Sequence, residues 1–145
     1  MKTLKFEIAI KAPRPRVWTT MLAPDTYKAW TAAFCEGSYY EGSWDKGAKI
    51  RFLAPSGDGM TAEIAENIPN EYVSIRHLGM FEKGVEDTTS EKVRAWAPAY
   101  ENYRFADIPG GCQLSVALDT APEWEQYMQE TWPKALAVLK GLCER

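Results

Sequence analysis

The sequence predicts an α+β protein in which a curved antiparallel sheet wraps around a long C-terminal helix, with two short helices after the first strand. Three observations predict it. The chain opens on a strict two-residue apolar period, its middle is a series of short β runs parted by turn residues, and its last stretch carries a helical apolar stripe.

In the opening segment Leu4, Phe6, Ile8 and Ile10 alternate with Thr3, Lys5 and Glu7, which makes a strand with its even positions facing inward. Pro13 and Pro15 end it. Pro15 suits the first turn of a short helix running through Val17, Trp18 and Met21 to Leu22, because the N–H it lacks would have no helical partner there. Pro24 restarts the chain, and Asp25 is the expected N-cap of a second helix carrying Tyr27, Trp30, Ala33 and Phe34.

From Ser38 onward β runs are expected at 38–40, 49–54, 60–67, 72–78, 100–106 and 112–118. The breaks at Asp45-Lys46-Gly47, Ser56-Gly57-Asp58-Gly59, Pro69-Asn70-Glu71 and Pro109-Gly110-Gly111 are short connections of the kind that join antiparallel neighbours. On the apolar faces fall Ile50 and Phe52, Ala62 and Ile64, Val73 with Ile75 and His77, Tyr103 and Phe105, and Leu114 with Val116 and Leu118. One long connection joins Leu78 to Tyr100. Within it Thr88-Thr89-Ser90-Glu91 reads as a capping box for a brief helix through Val93 to Trp96, and the segment is either a lid or a surface excursion.

Thr120-Ala121-Pro122-Glu123 reads as a second capping box, opening a final helix expected to reach about Glu144. Trp124, Met128, Trp132, Ala135, Leu139 and Leu142 form one stripe, edged by Tyr127, Thr131 and Val138, and this stripe must be buried against the sheet. Its aromatic half is expected to border a cavity and its aliphatic half to seal the base. Pro133 removes one backbone hydrogen bond and is expected to bend the helix near Gln129.

At 145 residues the chain suits one domain, 1–145, able to bury about 70% of its unfolded surface without a disulfide or a metal. Six Trp, seven Tyr and five Phe fit either a bulky core or an aromatic-lined pocket. Lys and Arg total 17 against 20 for Asp and Glu, a net charge of −3 with no basic face, which argues against nucleic acid and anionic membranes as partners. With neither a basic-then-apolar opening segment nor an apolar stretch of about 18 residues, a cytoplasmic location is expected. Cys35, Cys112 and Cys143 are scattered and His77 is the only histidine. No metal, disulfide or cofactor is therefore expected.

No phosphate-loop, zinc-protease, nucleophile-elbow or dinucleotide motif is present. The one constellation available joins His77, in phase with Val73 and Ile75, to Glu101, in phase with Tyr103 and Phe105. If their strands pair, an imidazole and a carboxylate meet on the concave face, where they can close the rim of the sheet, orient a ligand, or act as acid and base. One of Tyr39 and Tyr40 should also point inward. Arg51 and Arg104 read as outer-face charges that a bulge would turn toward a ligand carboxylate.

Val17-Trp18, then Leu22-Ala23-Pro24 and Trp30, then Gly42-Ser43-Trp44-Asp45-Lys46-Gly47-Ala48-Lys49-Ile50-Arg51-Phe52 resemble the START-like (SRPBCC) superfamily. Within it, the chain resembles the family named for the C-terminal domain of the activator of the heat shock protein 90 ATPase. Glu66-Asn67-Ile68-Pro69-Asn70-Glu71 and Trp132-Pro133-Lys134-Ala135-Leu136 agree, so the likeness spans nearly the whole chain. It implies the helix-grip fold of START-like and Bet v 1-like proteins, with a deep apolar cavity of the kind that takes lipids, polyketides and aromatic or hormone-like compounds. The chain is expected to work without the separate N-terminal chaperone-binding domain that the co-chaperone carries.

The expected function is therefore binding of an apolar or amphipathic small molecule between sheet and helix, with Trp30, Phe52, Ile64, Ile75, His77, Glu101, Tyr103, Trp124, Met128 and Trp132 as ligand-binding residues. The alternatives are a cyclase- or hydratase-like enzyme using His77, Glu101 and Tyr103, and a co-chaperone-like interaction module. A monomer and a homodimer are both compatible with the sequence.

Overall fold

A computed structural model describes residues 1–145. Along the chain it forms β1 (Lys2–Ile10), α1 (Arg14–Leu22), α2 (Pro24–Thr31), β2 (Tyr39–Gly42), β3 (Lys49–Leu53), β4 (Gly59–Ile68), β5 (Tyr72–Glu82), β6 (Val85–Asp87), α3 (Glu91–Arg94), β7 (Ala99–Ile108), β8 (Gly111–Thr120) and α4 (Glu125–Cys143). All the strands join one antiparallel sheet in the order β1-β8-β7-β5-β4-β3-β2, with β6 paired to β5. First and last strands lie side by side, Lys2 opposite Thr120 and Ile10 opposite Cys112. From β8 the chain turns into α4, which packs against β1, α1 and α2. This is the helix-grip fold.

The alternation in β1 has its expected result, with Leu4 and Ile10 buried, Phe6 and Ile8 half-buried, and Lys5, Glu7 and Ala9 exposed. The same rule buries Ile50, Ala62, Ile64, Val73, Ile75, Tyr103, Phe105, Leu114, Val116 and Leu118 against α1, α2 and α4. Arg51 and Arg104 point outward, their guanidinium carbons 5.5 Å from the Phe81 ring centroid and 4.6 Å from that of Tyr72.

Local interruptions depart from the simple pattern. Residues Ala65 and Leu78 are the extra residues of two bulges between β4 and β5, where Ile64 faces Ile75 but Glu66 faces Ser74, and Ala62 faces His77 but Thr61 faces Gly79. The bulge at Leu78 reverses the faces of the residues after it, turning Met80 inward opposite Met60 and Phe81 outward beneath Arg51. With its period broken there, β5 extends past its expected end to Glu82 and folds back as β6 through Lys83 (φ 50°) and Gly84 (φ 83°). Two successive positive φ values make this a tight hairpin, so the long connection expected after Leu78 is partly sheet.

The helix starts also differ from expectation. Pro24 takes the first position of α2, after Ala23 as N-cap, and Asp25 lies in the first turn. At α3 the cap is Ser90, whose Oγ accepts from Val93 N at 3.3 Å, rather than Thr88. Thr120 stays in β8, and Pro122–Trp124 form a 3-10 turn before α4 with no side-chain cap. A 3-10 turn advances faster than an α-helix, so Trp124 drops out of phase with Met128 and Trp132 and is 55% exposed. The buried stripe of α4 is Thr131, Trp132, Ala135, Leu136, Leu139 and Cys143, with Met128 and Leu142 half-buried. Pro133 lies on the exposed face of a continuous helix, and Gln129, whose carbonyl it cannot serve, is exposed as well.

No helix is long and apolar enough to cross a membrane. Cys112 and Cys143 are buried thiols and Cys35 is exposed. No group of three or more His, Cys, Asp or Glu side chains is placed to hold a metal ion.

Candidate functional site

β5 and β7 pair with Ile75 opposite Glu101 and His77 opposite Ala99, so His77 and Glu101 are diagonal neighbours on the inner face. Nε2 of His77 lies 3.0 Å from Oε1 of Glu101. Tyr103, two residues along the same face, donates its hydroxyl to Oε2 of Glu101. Glu101 is thus held on both oxygens, between an imidazole and a phenol. The second nitrogen of His77, Nδ1, is buried without a hydrogen-bond partner in the protein.

An aromatic box surrounds this trio. Phe52 lies 5.7 Å from His77, Trp44 5.8 Å from Phe52, and Tyr27 5.0 Å from Tyr40, all between ring centroids. Trp132 of α4 packs against Phe6, Trp30, Phe34 and Tyr103. Tyr40 supplies the inward side chain of its pair and donates its hydroxyl to Leu22 O at 2.5 Å. Nε1 of Trp44 is, like Nδ1 of His77, buried and unpartnered.

The β2–β3 loop that carries Trp44 is pinned by Asn67 Nδ2, which donates to Trp44 O at 2.7 Å, by Gly47 N on Ile64 O at 2.8 Å, and by Lys46 on Glu66 at 3.3 Å. The segments 42–52 and 66–71 that carry the family resemblance therefore meet in space. Their joint task is to hold one wall of the box.

Burial separates the interior into two zones. Ile10, Val17, Met21, Leu114 and Leu139 are at most 1% exposed and seal one end. Around the trio the wall is mixed, with Ile64, Ile75 and Tyr103 at most 2% exposed beside less buried neighbours. Glu101 faces inward from the middle of the sheet, yet its side chain is 21% exposed against 10% for His77, while Phe52, Tyr40, Trp44, Met60, Met80 and Met128 are half-buried. Solvent thus reaches the concave face at Glu101.

Of the residues expected to bind ligand, His77, Glu101 and Tyr103 are brought into one hydrogen-bonded group, with Phe52 beside it and Trp132 against Tyr103. Trp30, Ile64 and Ile75 are packed into the core. Met128 lies half-buried on α4, and Trp124 stands out in solvent, 6.1 Å from Tyr127. Tyr27 and Trp44 join the box although sequence reasoning did not assign them to it, and Tyr40 is the inward member of the pair whose phase the sequence left open. Tyr27 shares the inner face of α2 with Trp30, but only the docking of that helix reveals what the face meets. The hollows of about 250 Å³ and 430 Å³ on the outer face, one lined by Lys5, Phe6, Tyr72, Arg104 and Val116 and the other by Glu63, Arg76, Leu78, Arg94 and Pro98, are open to solvent and carry charged side chains beside apolar ones. Such open hollows cover too little of a small ligand's surface to make a binding site of the usual kind.

Burial, followed by the charge of Glu101, pushes the phenols of both Tyr27 and Tyr103 well above the ordinary tyrosine range. With native pKa values above the unfolded value of about 10, their contribution to stability is complete below that pH and is lost as pH climbs beyond it. In an alkaline titration the tyrosinate absorbance of these two residues is expected to rise only with the loss of circular dichroism. Ionisation of all seven tyrosines in the folded state would contradict the burial described.

The family described as Activator of Hsp90 ATPase homolog 1-like protein matches residues 11–144. Among solved structures, the chain is similar to protein MLL2253 from Mesorhizobium loti, at 16% identity and TM-score 0.75 over 97% of this chain and 96% of that one. It is also similar to the Aha1 dimer from Colwellia psychrerythraea, at 17% identity and TM-score 0.76 over 99% and 97%. A third likeness is to DynU16, a protein in the dynemicin biosynthetic locus, at 14% identity and TM-score 0.72 over 97% of this chain and 46% of that one. At these identities the structural likenesses show the fold. No curated protein matches the chain.

Proposed function

Since this chain belongs to the Activator of Hsp90 ATPase homolog 1-like family, whose fold is consistent with a ligand-binding domain, we propose that it binds an apolar or amphipathic small molecule in its interior. The ligand lies between α4 and the β3–β4–β5–β7 part of the sheet. The observation that carries this reading is the group His77–Glu101–Tyr103, set in an aromatic wall and reached by solvent through Glu101. A buried polar group destabilises unless its hydrogen bonds are made, yet the fold keeps three such groups here and leaves one ring nitrogen over. A few convergent polar atoms in an apolar wall are the ordinary composition of a small-molecule site. The 3.0 Å contact of His77 with Glu101 also favours a second reading, an enzyme of the cyclase or hydratase kind with His77 moving a proton.

Native mass spectrometry of the purified protein tests the binding reading, with a co-purified small molecule as the expected result. An apolar fluorescent probe should in addition change the tryptophan emission, and Met128→Trp should weaken the probe by filling space beside α4. If no small molecule is carried, and no apolar probe binds the wild-type protein, the site reading is wrong and a filled-core interaction module replaces it.

A further inference from the structure

Side-chain size along β8 shapes the outer face of the sheet. Ser115 of β8 lies opposite both Glu7 of β1 and Arg104 of β7, and Ala117 lies opposite both Lys5 and Asn102. Two short side chains between rows of longer ones leave a hollow of about 250 Å³. Lys5 and Arg104 border it, and neither forms an ion pair, although the chain carries more acidic than basic residues. Arg104 is instead held over the ring of Tyr72, its cross-strand partner in β5, 4.6 Å from the centroid. Such stacking orients the planar guanidinium and leaves the N–H groups on its edge free to meet an acceptor. Ser74 Oγ donates to Oδ1 of Asn102 at 2.6 Å, so the amide N–H groups of Asn102 add further donors at the same wall.

From this convergence we propose that the outer-face hollow docks an acidic segment of a protein partner, with one Asp or Glu carboxylate seated between Lys5 and Arg104. Three features choose this occupant. The donors are ammonium, guanidinium and amide N–H groups, which call for an anion, and the edge of a stacked guanidinium meets a carboxylate through two parallel hydrogen bonds. Glu7 also borders the hollow and has no cationic partner, so it repels a doubly charged phosphate more than a singly charged carboxylate. The hollow is too open to enclose a free small molecule. One side chain of a larger partner needs no enclosure, because its neighbours complete the contact along the sheet. The inference concerns the face opposite to the proposed interior site and does not depend on it.

NMR titration of the isotope-labelled protein tests it with the capped peptide Gly-Ser-Glu-Glu-Ser-Gly, with its analogues carrying Gln or phosphoserine in place of Glu, and with free glutarate. The expected result is that the Glu peptide shifts the backbone amides of Asn102, Ser115 and Ala117 and that the Gln peptide does not. Arg104→Gln should weaken the Glu peptide about fivefold, and Glu7→Gln should strengthen it by removing the repelling carboxylate. Both positions are exposed, so circular dichroism should show the fold unchanged. Lys5→Gln gives the same reading from the other wall, and the map of shifted amides in the wild-type protein holds whether or not a variant folds. Three results overturn the inference: no shift with the Glu peptide, shifts confined to another face, or equal shifts with the Gln peptide. Tighter binding of the phosphoserine peptide overturns the choice of carboxylate. Glutarate binding as tightly as the Glu peptide overturns the choice of a partner segment over a free small molecule.

Discussion

Replacing Leu139 by Ala is expected to lower the stability of the fold by about 2–5 kcal/mol, and replacing Met128 by Ala to lower it by distinctly less. Leu139 has no exposed surface and lies on the inner stripe of α4 with Ala135, Leu136 and Cys143. Its truncation leaves a cavity that the surrounding side chains fill only in part. Met128 is half-buried, one helix turn before Trp132. It has fewer packing partners to lose. Against a total stability of about 5–15 kcal/mol for a typical domain, the first change brings the protein close to unfolding and the second does not. Urea denaturation of the two variants measures the difference. Equal losses would mean that the interior around Met128 is packed as tightly as the sealed end and leaves no room for a ligand beside α4.

The second large effect is expected at Glu101. Glu101→Leu removes the hydrogen-bond partner of both the Tyr103 hydroxyl and His77 Nε2, and each buried group left unpaired costs about 1–3 kcal/mol. Partial exposure of the site lets water take up part of that loss. The informative comparison is with the triple variant His77→Phe, Glu101→Leu, Tyr103→Phe, which removes every member of the group at once. Replacing all partners with apolar groups of similar shape is nearly neutral in other buried networks, so the triple variant should regain most of the stability lost by the single one. It should also change the affinity of the interior for the apolar fluorescent probe. That combination would show that the polar group is retained for recognition. A triple variant less stable than Glu101→Leu would show instead that the network holds the sheet together and that recognition is not its purpose.

How far this site was legible in the sequence follows from how local its causes are. His77 and Glu101 could be assigned to one face because each lies in phase with buried neighbours in its own strand, Val73 and Ile75 for one, Tyr103 and Phe105 for the other. Trp124 was misplaced because Pro122 sets a 3-10 turn ahead of α4, and a wheel drawn at the α-helical period carries that residue to the wrong side. The end of β5 was missed because a bulge at Leu78 reverses the faces and erases the alternation by which strands are recognised.

The sequence by itself determined the order and kind of nearly every element and the inward face of most strands. It did so because side-chain periodicity and turn chemistry act over a few residues and need no knowledge of the rest of the chain. Only the tertiary structure decided that β7 lies beside β5, bringing Glu101 to His77, and that α2 and the 42–48 loop carry Tyr27 and Trp44 to the same wall. It alone decided that His77 Nδ1 has no partner, that Glu101 still touches solvent, and that the residues closing the other end do not. Those facts depend on distances between segments as far apart as residues 27 and 132, set by the summed packing of the whole core, which no local pattern encodes.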